Sequence, residues 1–297
     1  MLGHRIADRY PRTPDGWSVT DRTAVGPFTT RVEYRTGDGA TAIWDSRFHR
    51  KHASRLSRGG GTTWFAPHRA SWWIGVLFAI GSVCFVLGPM PGFVQLVGSA
   101  ADGTVFFVGS IFFTSAALLQ YLEAANADRG PQGGEHRRMR LLTFEPHRID
   151  WWSTLIQLVG TLYFNVDTFR AMEQSFDTSQ VDRLVWRPEL FGSICFLIAG
   201  LLAYLEVRGG GILRAERNLE WKIATVNLLG CILFMVSALA GYVVPSTGDV
   251  LDLAAANLAT ALGALCFLVG AVLLLPESAD VEPDAADARS IRRLPAQ

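Results

Sequence analysis

The sequence predicts an all-α membrane protein of six transmembrane helices, built as three tandem helical hairpins behind a small β-rich cytoplasmic N-terminal segment. Three observations predict it: long uncharged apolar runs, a motif that recurs at a fixed offset, and a Gly-small-x-x-Phe signature in every candidate span.

The apolar runs come first. The 297 residues are 49% hydrophobic, and the charges are unevenly placed. No charged residue lies between Arg69 and Asp102, from Gly103 to Leu122, from Ile223 to Gly248, or from Leu253 to Pro276. A helix of about 20 apolar residues crosses the hydrocarbon core, so each run reads as a span. Two further candidates, Trp151 to Val166 and Leu190 to Leu205, are shorter and bounded by acids. The formal net charge is zero, which gives no support to a nucleic-acid partner, and none is expected. The N-terminus lacks the apolar core of a cleaved signal peptide. All four cysteines fall inside candidate spans, which argues against a disulfide framework.

Residues 1–66 are polar. Phe28 to Trp44 alternates around Gly37-Asp38-Gly39 and predicts a β-hairpin. It is too small for a large core of its own, so it is expected to pack on the membrane domain or to be marginally ordered. A basic run with Arg47, His49, Arg50, Lys51, His52, Arg55 and Arg58 follows, then the joint Gly59 to Gly61. Residues 278–297, rich in Ala, Asp and Pro, are expected to be a disordered tail. Loops 88–104 and 245–252 carry no Lys or Arg. Loop 124–150 carries Arg129, Arg137, Arg138, Arg140 and Arg148, and loop 207–222 carries Arg208, Arg214, Arg217 and Lys222. The remaining outer loop, 167–189, carries Arg170, Arg183 and Arg187, fewer and diluted by acids, so the positive-inside rule places both termini in the cytoplasm of a multi-pass cell-membrane protein.

The repeat organises the hairpins as residues 67–124, 146–207 and 217–277. Pro67-His68-Arg69-Ala70-Ser71-Trp72-Trp73 returns 79 residues later as Pro146-His147-Arg148-Ile149-Asp150-Trp151-Trp152. The third copy is looser, with Arg217 and Trp221. Gly81, Gly109, Gly160, Gly192, Gly230 and Gly263 are each followed by a small residue, and by Phe85, Phe113, Phe164, Phe196, Phe234 and Phe267 four positions on. Glu123, Glu206 and Glu277 follow the even-span glycines by 14 residues. Helices in lipid associate where small residues let backbones approach, so the six glycines are expected to be helix-packing positions in one layer. Glycine lies 12 residues past Arg69 or Arg148 in the first two odd spans, roughly 18 Å of helix at 1.5 Å per residue. The Phe residues should then diverge, outward in odd spans and inward in even ones. Three like-oriented hairpins imply a pseudo-threefold axis along the membrane normal.

Each Gly-Ser-x-x-Phe hairpin resembles the YrhK-type domain, a two-helix membrane module. The resemblance covers roughly residues 67–277 and implies no activity, cofactor or catalytic residue.

Candidate chemistry is thin. Glu123, Glu206 and Glu277 would form an acidic ring at the inner mouth of a pathway, or would end their helices beside Arg69, Arg148 and Arg217. Gln157, Asn227 and Asn257 are the deepest amides, candidates for a polar pathway or for interhelical hydrogen bonds. Cys84, Cys195 and Cys266 share a position in the motif, but Cys84 should lie about 9 Å from the other two along the normal, too far for one metal. His49-x-x-His52 is a weak metal signal, and the basic segment around it is better read as a candidate contact for anionic lipid. No dinucleotide fingerprint, phosphate-binding loop or nucleophile elbow occurs, so an enzyme is not expected, and no metal or cofactor is expected. The paired tryptophans read as interface anchors. The leading expectation is a non-enzymatic scaffold or sensor in the lipid bilayer, and the rival is a channel or small-solute transporter along the pseudo-threefold axis. Oligomeric state is open.

Overall fold

A computed structural model describes residue 11 and residues 13–46, 64–127, 139–173, 175–208 and 219–280. The basic run with His49 and His52, the Gly59 to Gly61 joint, Arg129, Arg137, Arg138, Arg214, Arg217 and the tail beyond residue 280 lie outside the described residues.

Three strands come first: β1 (Ser18–Val25), β2 (Phe28–Arg35) and β3 (Thr41–Asp45). They form an antiparallel sheet in the order β1-β2-β3. The expected hairpin is β2–β3, with Val32 opposite Trp44 and Arg35 opposite Thr41. Its turn closes by mutual bonds, Thr36 N–H to Ala40 O and Gly39 N–H to Thr36 O, both 2.9 Å. Gly39 sits at φ 83°, a conformation that favours glycine. Strand β1 was not expected, because Ser18–Val25 is largely polar and both its faces are mostly exposed. Alternate residues Val32, Tyr34, Ala42 and Trp44 form a buried cluster, with Trp17 edge-on to Tyr34 at 5.9 Å. Burial pushes the Tyr34 phenol up to about 12, against a smaller lowering pull from Arg22.

The helices are α1 (Ala70–Leu87), α2 (Phe93–Val97), α3 (Ser99–Ala125), α4 (Ile149–Ala171), α5 (Thr178–Val181), α6 (Arg187–Arg208), α7 (Leu219–Ala240) and α8 (Leu253–Asp280), with a π-helical turn at Asp182–Trp186 before α6. The short elements α2 and α5 occupy stretches expected to be loop. Asp177 caps α5: its Oδ1 accepts the Ser179 and Gln180 amides at 2.9 Å, while Gln180 Oε1 accepts the Asp177 amide. Hydrogen bonds from the Ser179 side chain and the Gln180 backbone hold this carboxyl below the ordinary carboxylate range. The eighth helix runs to Asp280, so the first three residues assigned to the disordered tail are helical.

The six long helices close a ring in the order α1, α3, α4, α6, α7, α8, with α8 packed back on α1. Five are long and apolar enough to cross a membrane: α1, α3, Thr178–Arg208, α7 and α8. That makes the chain a multi-pass integral membrane protein. The other long helix, α4, has 23 residues but includes Asp150, Asp167 and Arg170. Its polarity is turned inward. Asp150, Ser153, Thr154, Thr161, Asp167 and Thr168 are all buried, while Val159, Leu162, Tyr163, Val166 and Phe169 are exposed. The other long helices also present apolar surface outward, for example Ile111 and Leu118, Ile198 and Leu201, Leu229 and Val236, Leu262 and Leu265. Such a belt suits hydrocarbon rather than water.

All six Gly-small pairs are buried. Glycine and the Phe four residues on share a helix face, and here each glycine receives the phenylalanine of the facing helix. A Cβ added to Gly81 would lie 2.8 Å from a ring carbon of Phe113 and 2.9 Å from Gly109 O. On Gly109 it would meet Cys84 Cβ at 2.7 Å and the Phe85 ring at 3.0 Å. Gly160 faces Phe196 at 2.7 Å, and Gly192 faces Phe164 at 3.0 Å. Gly230 faces Gly263 O at 3.0 Å and Phe267 at 3.1 Å, and Gly263 faces Phe234 at 2.5 Å. Backbones thus touch through bare Cα atoms, and the rings occupy the space that side chains would take. Overpacking at such a contact costs about 1–3 kcal/mol. Gly263→Ala is therefore expected to lower thermal stability in detergent by that amount, whereas Leu262→Ala, on the exposed neighbouring position, is expected to change it by less than about 0.5 kcal/mol. Thermal unfolding followed by circular dichroism measures both.

Candidate functional site

The six motif phenylalanines converge on the ring axis in two sets of three. Phe85, Phe164 and Phe234, from the odd spans, stand 5.8–6.5 Å apart by ring centroids. Phe113, Phe196 and Phe267, from the even spans, stand 6.0–6.5 Å apart. The two sets are joined by close pairs within each facing helix pair: Phe85–Phe113 at 5.5 Å, Phe164–Phe196 at 5.0 Å and Phe234–Phe267 at 5.1 Å. Five of these rings are at most 6% exposed, and Phe267 packs against them. Cys231 and Ala264 fill out the same cluster. The axis is plugged by aromatic carbon.

On the even-span side of this plug lies a cavity of about 120 Å³. A water needs roughly 10–15 Å³ of such space, so the cavity is large enough for several. Its floor is Phe113, Phe196 and Phe267. Its walls carry Gln120, Glu123, Gln157, Glu206 and Asn227, with Ser153 and Thr154 beside them. Gln157 and Asn227 occupy matching places, three residues before Gly160 and Gly230, and Phe78 fills the third, three residues before Gly81. Gly270 is notched for Asn227: a Cβ there would fall 2.1 Å from Asn227 Oδ1.

The structure brings together Glu123, Glu206, Gln157 and Asn227 from the expected polar set. Glu277 is 5% exposed but lies outside the cavity wall. Asn257 corrects the expectation. It lies six residues before Gly263, across the phenylalanine layer from the cavity, and its side chain is exposed. Counting along the helix set its depth, but the direction around the helix put it outside.

Glu206 also meets the sheet. Ser46, the residue after β3, donates from Oγ to Glu206 Oε1 at 2.7 Å, and both residues are buried. Strand β2 packs against α4. The N-terminal sheet is therefore tied to Glu206, a residue of the cavity wall. Sequence reasoning gave no hint of Ser46, which stands 160 residues from its partner.

The two Pro-His-Arg-x-x-Trp-Trp segments adopt matching conformations. Trp73 Nε1–H donates to Pro67 O at 3.0 Å, and Trp152 Nε1–H to Pro146 O at 3.1 Å. The Arg69 and Arg148 amides bond back to Ala66 O and Glu145 O. Phe65 stands edge-on to Trp72 and Phe144 edge-on to Trp151, so the shared pattern begins two residues before the proline. Each segment starts a helix with its own side chains. Arg148 adds an ion pair with Asp150, Nε–H to Oδ1 at 3.0 Å and a second bond from the guanidinium to Oδ2. Asp150 Oδ1 also accepts the Trp151 amide at 2.9 Å.

Small hydroxyls tie the ring together. Ser153 donates to Ala199 O at 2.9 Å, Ser193 to Phe234 O at 3.3 Å, and Ser237 and Thr260 lie 2.6 Å apart. Thr168 donates to Ser110 Oγ at 3.0 Å. The cysteines serve packing: Cys84 and Cys195 press on Gly109 and Gly160, and Cys231 on Gly200. Among the described residues no three His, Cys, Asp or Glu side chains converge to hold a metal ion.

Removing one partner of a buried ion pair costs about 3–5 kcal/mol, because the other charge is stranded. Asp150→Ala is expected to destabilise the protein by that order, read as loss of thermal stability in detergent. Ala at the exposed Glu173 is expected to change it by less than about 0.5 kcal/mol.

No protein-family model, no curated protein and no solved structure matches the chain.

Proposed function

We propose that this protein is a non-enzymatic, non-conducting membrane sensor: six spans in three tandem hairpins of the YrhK-type module, holding a blind polar chamber with the N-terminal sheet tied to its wall. The observation that carries the reading is the double layer of six phenylalanines across the axis. A conducting pore needs a continuous wet path, and aromatic carbon offers no partner to a hydrated solute. The reciprocal glycine–phenylalanine contacts in each successive pair of long helices support the hairpin as the unit. The inward polarity and outward apolar face of α4 support a sixth span, which makes the number even. With an even number, the arginine-rich loops put both termini on the cytoplasmic side, where those loops face anionic lipid headgroups. Contact of Ser46 with the chamber residue Glu206 gives the chamber a route to the soluble segment.

The second reading, a transporter that opens its plug during a cycle, is favoured by the polar wall of Gln157, Asn227 and Glu206. Proteoliposomes separate the two. Wild-type protein is expected to hold potassium and glycerol as tightly as empty vesicles, and the triple variant Phe113→Ala, Phe196→Ala, Phe267→Ala to leak. Wild-type flux that Glu206→Gln abolishes would instead establish the transporter.

A further inference from the structure

We propose that residues 139–144 form an interfacial arm that inserts its apolar side chains into the cytoplasmic leaflet and sets the Arg140 guanidinium on phospholipid phosphate. The inference rests on the reading of this end of the bundle as cytoplasmic, and it names the partner met there, the phospholipid leaflet.

The first argument is apolar surface outside any span. Met139-Arg140-Leu141-Leu142-Thr143-Phe144 belongs to no helix or strand. Yet Met139, Leu141, Leu142 and Phe144 are 65%, 67%, 89% and 73% exposed. A contiguous exposed apolar patch marks a surface that meets a partner or a membrane. The second argument is that the arm is held. Asn126, the residue that ends α3, donates from Nδ2 to Arg140 O at 2.9 Å and accepts the Arg140 amide on Oδ1 at 2.7 Å. Thr143 donates to Ala125 O at 3.4 Å. A backbone tied at two points presents these side chains as a built surface.

Depth selects the partner. Trp151 and Trp152 open α4, and tryptophans of this kind sit at headgroup level. Phe144 stands edge-on to Trp151 at 5.5 Å, which sets the arm at the same level. The arm also joins the ends of α3 and α4, whose outward Leu118 and Val159 belong to the lipid-facing belt. Apolar surface thus continues from the belt onto the arm. The Arg140 side chain is exposed among these groups. A guanidinium pairs well with phosphate, and its long stem lets the charge stay among headgroups while the neighbouring side chains go deeper.

The repeat shows that the arm is an addition to the hairpin. In the first copy Trp72 Nε1–H donates to Trp64 O at 2.9 Å and ties the residues before Pro67 to their own helix. In the second copy Thr143 stands where Trp64 does, and Trp151 Nε1–H is buried with no acceptor. The chain is tied to α3 instead. Each copy exposes one ring two residues before its proline, Phe65 or Phe144, and the second adds Met139, Leu141 and Leu142. The arm leads directly into α4, which carries Ser153, Thr154 and Gln157 of the chamber wall and packs on β2. The leaflet is thereby joined to both parts of the proposed sensor.

The test uses the full-length chain in vesicles of phosphatidylcholine and phosphatidylglycerol. A nitroxide is attached at Leu142→Cys with Cys84, Cys195, Cys231 and Cys266 replaced by serine or alanine. Its access to oxygen, which partitions into bilayers, is compared with its access to a water-soluble nickel chelate. Labels at Leu118→Cys in the belt and Asp21→Cys on the exposed part of β1 give the lipid and water references. The oxygen-to-nickel ratio at Leu142 is expected to exceed that at Asp21 by about tenfold. Arg140→Glu is expected to lower the ratio at Leu142 by about twofold or more, by repelling headgroup phosphate. A ratio equal to that at Asp21 would overturn the insertion. So would closure to both probes or spin–spin broadening, since either means that protein covers the arm. An unchanged ratio in Arg140→Glu would overturn the phosphate contact. If the cysteine-free background does not fold, p-benzoylphenylalanine at Leu142 in the otherwise native chain answers the same question. Irradiation is then expected to give a phospholipid adduct, and a cross-link to protein in its place would overturn the arm. The ratio reports depth whichever way the protein faces, so an arm found in the opposite leaflet removes the orientation and not the insertion. A water-exposed arm in vesicles that stay tight removes the arm and leaves the sealed bundle.

Discussion

Contact of backbone with backbone at six glycines, each covered by a phenylalanine from the facing helix, is what the rest of the bundle depends on. In hydrocarbon, two helices gain little by hiding apolar surface from each other, and association rests on close packing. Glycine lets α1 reach α3, α4 reach α6 and α7 reach α8 so closely that an added Cβ would fall 2.9–3.2 Å from the facing glycine's carbonyl oxygen at the Gly81–Gly109, Gly160–Gly192 and Gly230–Gly263 contacts. Each ring that fills the resulting notch is thereby aimed at the axis. With six rings aimed there, the axis closes, and the space on one side of it becomes a chamber with a floor. A single side-chain swap at the glycine layer therefore acts on helix spacing, plug and chamber together.

Around this contact the chain manages its polarity in two directions. Hydroxyls and amides point into the ring, where they bond across helices, as Ser153 does to Ala199 O and Thr168 to Ser110. Leucine, valine and isoleucine point out. At the helix starts, Arg148 and Asp150 satisfy each other, and the paired tryptophans bond back to the preceding proline carbonyls. These contacts fix where α1 and α4 begin, and so set the register that brings glycine opposite phenylalanine.

Much of this was legible in the sequence because helical spacing fixes depth. The recurrence of glycine, small residue and phenylalanine put the packing positions in one layer, and the fixed offset of glutamate placed Glu123 and Glu206 toward one end. Direction around the helix was harder. Asn257 was grouped with Gln157 and Asn227 by polarity, yet it faces outward beyond the plug. Helix α4 looked doubtful for the opposite reason, since the polar residues that interrupt its apolar run are the ones it buries. Long-range pairings left no trace: nothing in the sequence ties Ser46 to Glu206, and β1 hides in a stretch whose alternation is too polar to read.

The central claim is that water reaches the chamber from the sheet end and stops at the phenylalanine layer. Gln157→Cys in a background with Cys84, Cys195, Cys231 and Cys266 replaced by serine or alanine tests it most directly. Oriented vesicles are treated on either side with a charged, membrane-impermeant thiol reagent. Modification from the sheet side alone is the result this account predicts, with protection from the other side even at long exposure. Modification at comparable rates from both sides would contradict it, because it would mean that the six rings leave a wet path through the bundle.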